Sequence, residues 1–423
     1  MTGVAAGPAG AGPAAGRRRT RRIGAGLAAA GLVAAAAFGA AAGPAAARFT
    51  FGEGAGGAGI TLPGRAGAVG FGLLAVAAGA LLCGPRPPRR AAALGVGVVA
   101  VLLSFLCWQV AQAPPGQNFL PLGSTLRGTF LLALPLVYGA LAGVLCERSG
   151  IVNVAIEGQL LAGAFAGALV GTVTGSPWAG LVAAALGGVL LSALLAVFAI
   201  RYLVDQVVLG IVVNLLAIGL TGFLYEALMQ PDQARYNEPP KFAEWSLGPL
   251  ADLPVLGPAL GRGTLFLYLA AIAVPATAYA LGRTRWGLRT RAVGEHPGAA
   301  DTLGVRVRRL RYLNVLLAGA VAGVGGASYT LVSFSFSKDM IGGKGFIALA
   351  ALIFGRWTPT GALLAALFFG FADQVQTYLG TVESAIPTEF LQMLPYLATI
   401  LAVAGLVGRV RAPAADGKPY LGR

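Results

Sequence analysis

Charge is what this 423-residue sequence has least of. Asp, Glu, Lys and Arg together make up 11% of it, against about 25% in soluble domains. With 57% hydrophobic residues and a mean hydropathy of +0.75, an ordinary water-soluble domain is excluded. Cysteine is scarce too. Cys83, Cys107 and Cys146 lie far apart, in or at the ends of apolar segments. They supply neither a disulfide framework nor metal-ligand spacing, and each reads as a small buried hydrophobe. The only histidine is His296. No G-x-x-x-x-G-K-[ST] phosphate loop occurs, because "GGKGF" at Gly342–Phe346 lacks the spacing and the Ser/Thr. H-E-x-x-H and G-x-S-x-G are missing as well. ATP hydrolysis by that route and the usual hydrolytic constellations fall away. No catalytic residue, cofactor or metal is assigned, and a membrane enzyme ranks below every transport reading.

What fills the chain instead is apolar runs near the ~20 residues that cross a bilayer. The expected spans are 23–44, 67–83, 91–112, 126–146, 151–173, 178–200, 207–229, 264–282, 312–335, 343–357, 360–380 and 389–409. The fold class is therefore all-α, a polytopic transmembrane helical bundle of about 10–12 spans. The first span is mostly Ala and Gly, and 343–357 is short for a full crossing. The basic start and Ala-x-Ala end of the first segment also resemble a signal peptide, but its apolar part is long for one. An uncleaved span is the expectation.

Positive charge orients the bundle. Arg17, Arg18, Arg19, Arg21 and Arg22 precede the first span, and Arg86, Arg89 and Arg90 follow the second. Between Gly282 and Asn314 lie eight arginines against only Glu295 and Asp301, whereas the connection 230–262 is mixed in sign. Twelve crossings, with 343–357 kept as a short one, place every arginine-rich loop on one side. Cytoplasmic loops collect Lys and Arg, so both termini and the arginine-rich loop are expected in the cytoplasm and 230–262 outside. The net charge of +15 then reflects topology and lipid phosphates, and no nucleic-acid partner follows from it.

Small residues recur every four positions at Gly163, Gly167 and Gly171, and again at Gly319, Gly323 and Ala327. Such spacing lets helix backbones approach closely. No internal repeat is evident. Polar residues in apolar surroundings stand out by contrast: Asn153 and Glu157, four apart and expected on one helix face, then Asn214. A carboxylate within the membrane faces a bundle interior or a wet cavity. These three are candidates for the translocation pathway or for the polar core, with Glu157 able to accept hydrogen bonds from a neighbouring broken helix. Glu226, Asp373, Gln374 and Gln376 sit near span ends and read as interfacial.

The arginine-rich loop contains "EHPGAADTLG". Pro297 suits the first position of a helix and Gly304 the residue just past its end, which predicts a short helix between them. Its small residues, Ala300 among them, would leave a smooth face for another protein.

The matching stretches "ERSGIVNVAIEG", "DQVVLGIVVNLLAIGLT", "GLRTRAVGEHPGAADTLGVRVRRLRYLNV" and "GKGFIALAALIFGRWTPTGALLAALFFGFAD" give the chain from about Leu122 onward a resemblance to a family. It resembles the integral membrane permeases of bacterial ABC importers, in the group serving ribose and branched-chain amino acids. Within that group it is most similar to permeases of purine-nucleoside importers whose binding proteins are basic-membrane-protein lipoproteins. The resemblance implies that Gly294, Glu295, His296, Pro297, Ala299, Ala300, Asp301 and Gly304 form the coupling loop that docks on a cytoplasmic ABC ATPase. It further implies a second permease subunit, an extracellular substrate-binding lipoprotein and a bacterial cell membrane location. The expected domains are an N-terminal extension, 1–120, with three spans, a permease core, 121–411, and a cytoplasmic tail, 412–423. A ribose-like sugar or branched-chain amino acid permease is the alternative within the class, and a secondary transporter or channel the alternative outside it.

Overall fold

Long runs of Ala, Leu, Val and Gly with charge confined to their ends favour helices, because in lipid each backbone N–H must find its carbonyl within the same segment. The computed structural model describes residues 13–43, 45–52, 57–84, 90–114, 116–381, 390, 393 and 411–422. Among them are ten helices long and apolar enough to cross a membrane. The expected span 389–409 lies almost wholly outside the described residues. The chain divides into two units: Met1–Thr125 with Val375–Met393, and Leu126–Gln374 with Leu394–Arg423.

The first unit contains α1 (Thr20–Ala41), α2 (Gly64–Cys83) and α3 (Ala92–Gln112), at the places of the first three expected spans. Small residues line the seam, with the Ser104 hydroxyl donating to the Ala68 carbonyl at 2.6 Å. Phe38 stacks on Trp108 with 5.0 Å between ring centres. A small sheet, which hydropathy does not signal, joins the connections. Strand β1 (Ala46–Thr50) pairs antiparallel with β2 (Gly59–Pro63) and parallel with β3 (Phe119–Pro121).

The second unit is built from most of α4 (Leu122–Glu147), all of α5 (Ile156–Thr174), α6 (Pro177–Arg201), α7 (Gln206–Met229), α8 (Leu265–Arg283) and α11 (Val307–Thr330), and most of α13 (Pro359–Thr381). Between α8 and α11 lie α9 (Arg285–Glu295) and α10 (Pro297–Thr302). The short α12 (Lys344–Phe354) precedes α13. Helices α5, α6 and α11 form the tightest knot, and both small-residue stripes are inside it. A Cβ on Gly163 would sit 2.3 Å from the Gly323 carbonyl oxygen, and one on Gly188 2.0 Å from that of Gly319. Only hydrogen fits at these crossings, which is the close approach expected of small residues four apart.

Contacts define two ends of this unit. At one end, Arg127 pairs with Glu244, Lys338 with Glu226 at 2.6 Å, and the Phe242 N–H donates to the Leu331 carbonyl at 2.9 Å. Asn237 clips the chain after α11, donating to the Phe336 carbonyl and accepting its N–H, each at 2.8 Å. At the other end, Arg148 Nε donates to the Trp357 carbonyl at 2.7 Å and the Ala415 N–H to the Gly294 carbonyl at 2.8 Å. This second end gathers Arg148, Arg201, Arg283, Arg285, Arg289, Arg291, Arg306, Arg308, Arg309, Arg311 and Arg356.

Two expectations are corrected here. Helix α12 has 11 residues, about 16 Å at 1.5 Å per residue, and cannot cross ~30 Å of hydrocarbon by itself. The segment 331–357 still runs from one end of the unit to the other, with 331–343 as irregular chain and α12 as the helical remainder. The ninth span starts at Val307 rather than near 312, which brings Arg308, Arg309 and Arg311 into its first turns.

Candidate functional site

The polar residues singled out by the sequence meet around two breaks in the helical pattern. The first break is 148–155, between α4 and α5. Ile156 packs against Gly139 and Gly143, well before the end of α4, and Gly158 against Asn214, two turns into α7. Helix α5 therefore begins inside the bundle, and irregular backbone enters apolar surroundings. Such backbone persists only where its polar groups are satisfied. Asn214 does this on both sides: its Oδ1 accepts from the Gly158 N–H at 2.8 Å and its Nδ2 donates to the Val154 carbonyl at 2.9 Å. Gln206 Oε1 accepts from the Val152 N–H at 2.7 Å, and Arg311 Nε donates to the Ser149 carbonyl at 3.1 Å.

The second break is 331–343. Its far edge, the start of α12, is held by Glu157, whose Oε1 accepts from the Gly343 N–H at 2.8 Å and Oε2 from the Gly345 N–H at 2.5 Å. A carboxylate on the free N–H groups of a helix N-terminus is favoured by charge and by geometry. Gly343 has φ 85°, a left-handed turn that suits glycine, and a Cβ on Gly345 would lie 2.5 Å from Glu157 Cα. Between these two glycines, Lys344 Nζ pairs with Asp373 Oδ2 at 3.2 Å.

Asn153, Glu157 and Asn214 are thus brought together at the start of α5, but not as one helix face. Asn153 lies before the helix, where its Nδ2 donates to Gln159 Oε1 at 3.0 Å. Gln159 in turn donates to Ser192 Oγ at 2.9 Å. All are buried. Glu226 and Asp373, read as interfacial, differ from each other: Glu226 is exposed with Lys338, whereas Asp373 is mostly covered.

Sequence reasoning missed a cluster at the arginine-rich end. Glu147, 3% exposed, accepts from Trp357 Nε1 at 2.5 Å and lies close to the Asn153 N–H at 3.5 Å. Arg311 is 2% exposed, so it belongs to the interior and not to the solvated loop. Burial lowers the Arg148 pKa below the usual guanidinium range, and Glu295 nearby opposes that shift; the group stays cationic.

The coupling-loop candidates form the punctuated helix expected. Pro297 is its first residue. The Gly304 N–H donates to the Asp301 carbonyl at 2.8 Å and the Val305 N–H to that of Ala300 at 3.1 Å. With φ 81° at Gly304, this is a Schellman ending, which requires a left-handed residue just past the helix. His296 precedes the helix, exposed, and its side chain makes no capping bond. Gly294 is buried; Glu295, Ala299 and Gly304 are exposed; Asp301 is half-buried.

Ala300 departs from expectation. It is 4% exposed and packs with Val293 and Val307, so it faces the protein's own small core rather than an open surface. The face left outward carries Gly298, Ala299, Thr302 and Leu303. Leu303, 85% exposed, is an apolar knob on a surface ringed by arginines. Its position beside Gly304 was readable, but its exposure depends on how α10 packs against α9 and α11.

Comparison with known proteins places this geometry. Residues 124–403 match the family described as the branched-chain amino acid transport system / permease component. The guanosine ABC transporter permease protein NupQ of Bacillus subtilis is 41% identical over 303 residues, covering 69% of this chain and 95% of the relative. The nucleoside ABC transporter permease protein NupC of Lactococcus lactis is 40% identical, covering 69% and 94%. A putative glucose ABC transporter permease of Haloferax volcanii is 36% identical, covering 68% and 92%. No solved structure gives a significant match. These relatives are transport subunits rather than enzymes, and the match spans α4 to α13 with both breaks and the α9–α10 loop inside it. The chain belongs to the family of branched-chain amino acid transport system permease components, as a multi-pass membrane protein.

Proposed function

We propose that this chain is the membrane permease subunit of an ATP-driven importer of purine nucleosides. The observation that carries the cargo assignment is the similarity to guanosine and nucleoside permeases over nearly their whole length. The buried Asn153, Gln159 and Asn214 amides hydrogen-bond within the bundle, so they do not choose between a nucleoside and a sugar. The glucose-permease relative keeps a sugar cargo as the second reading.

The arginine-rich end is the cytoplasmic one under the positive-inside bias, with both termini on that side and 230–262 outside. An extracellular binding lipoprotein delivers cargo at the 230–262 end, and a second permease subunit completes the pathway. An ABC ATPase meets α10 through Ala299 and Leu303. Because Ala300, Val293 and Val307 pack α10 onto α9 and α11, a push on α10 moves α11 and its close-packed partners as a body. The chain hydrolyses nothing itself.

A purine-auxotrophic bacterium carrying this importer and no other tests the cargo. Growth on guanosine that disappears with this gene supports the proposal; growth on guanosine unaffected by its loss opposes it. Orientation is tested with single cysteines and an impermeant thiol reagent. Labelling near Leu303 only in opened cells, and near Asp252 in intact ones, is the expected pattern.

A further inference from the structure

The residues 411–422 follow the family match, which ends at 403, yet they are firmly placed. Pro413 and Ala415 are buried. The Ala415 N–H donates to the Gly294 carbonyl at 2.8 Å, and the Ala414 N–H to Glu295 Oε2 at 3.2 Å. Tyr420 packs against the small core of Val293, Ala300 and Val307, close to the Asp301 carboxylate on α10. The same segment also grips the membrane body. Arg311 donates Nη1 to the Lys418 carbonyl at 3.3 Å and lies 5.9 Å from the centre of the Tyr420 ring. A Cβ on Gly150 would lie 3.1 Å from the Ala415 carbonyl oxygen and one on Gly417 3.4 Å from Val152 Cγ2, so the tail packs on the 148–155 break just after Glu147, which holds Trp357 before α13.

From these contacts we infer that the C-terminal tail is a strap, tying the α10 loop to the 148–155 break beside Glu147 and Trp357 so that the two move together. Without it, α10 is held by its short connections and by the contacts among Val293, Ala300 and Val307, and the side of that core where Tyr420 lies is uncovered. Arg311 explains why the strap seats at this point. A buried guanidinium needs acceptors, and the tail supplies one of its two carbonyls, the other being Ser149. The functional part of this inference rests on the importer reading; the structural part does not.

The test uses the full transporter in membrane vesicles, with Cys83, Cys107 and Cys146 replaced by alanine and Ala300→Cys as reporter. Three forms are compared: the full chain, a chain ending at Arg411, and Tyr420→Ala, with Tyr420→Phe as the conservative control. In the truncated chain and in Tyr420→Ala, thiol labelling of the reporter should rise about tenfold or more, the scale on which linking residues alter coupling. In the same chains without the reporter, uptake should fall by a similar factor while ATP hydrolysis continues. Tyr420→Phe, which keeps the packing, should label slowly like the full chain. Equal labelling with and without the tail overturns the strap, as does a truncated chain that labels fast but transports normally. If the full chain with its ATPase takes up no nucleoside while labelling still depends on the tail, the cargo reading has failed and the strap stands.

Discussion

Glu157, on the first turn of α5, accepts the backbone N–H of Gly343 at 2.8 Å across 186 positions of sequence. Its second oxygen takes the Gly345 N–H, so one carboxylate closes the free N-terminus of α12 in the middle of the bundle.

Removing it leaves two N–H groups without partners where water is scarce, each worth about 1–3 kcal/mol. Glu157→Ala should lower the detergent unfolding temperature and the amount of protein in the membrane, with uptake falling in step. Glu157→Gln keeps one carbonyl acceptor and should lie between. A Glu157→Ala protein as stable as wild type would show that α12 does not depend on this contact.

Exposed and buried positions on α10 should behave differently. Leu303→Asp changes an 85% exposed side chain, so folding and membrane level should stay normal while the ATPase is lost on purification. Ala300→Glu instead forces a charge into the core with Val293 and Val307, which costs several kcal/mol unless the loop opens. It should make the loop itself protease-sensitive. A Leu303→Asp protein that retains its ATPase would move the docking contact away from this knob.

How much of this was legible depended on the range of the interactions. The α10 helix could be read because Pro297 and Gly304 act within a few residues of themselves, and the close packing of α5 and α11 because glycine spacing is local too; their meeting with α6 could not be. The pocket for Arg311 could not, since Ser149 and Lys418 lie far from it in sequence, and hydropathy counted it as one more loop arginine. Likewise 343–357 has the composition of a span but not the length. What marks it as half a crossing is Glu157 at its start and Glu147 against Trp357 just past its end. The same long-range logic hid Ala300, whose side chain is small enough to suit either a surface or a core.

The tail should respond to pH. Burial raises the Asp416 pKa above the ordinary carboxylate range, with the neighbouring Glu147, the Arg311 charge and the Gly417 N–H partly opposing it; the Cys146 thiol is the other ionisable group near it. A carboxyl whose docked pKa is raised takes up a proton on docking. Its contribution is complete below the free value of about 4 and is lost as pH rises through the docked value. Reporter labelling at Ala300→Cys, corrected for thiolate reactivity with a free-thiol standard, should therefore increase with pH, and Asp416→Asn should flatten the curve. A wild-type profile already flat would contradict this role for Asp416.

The most direct measurement is radiolabelled guanosine accumulation in proteoliposomes holding the permease pair and ATPase, with the binding lipoprotein at the 230–262 end. Accumulation should require the lipoprotein and ATP at the Leu303 end, and unlabelled nucleosides should compete while glucose and leucine do not. Accumulation without any ATPase, or ATP-driven uptake of glucose or leucine in place of guanosine, would contradict the nucleoside importer.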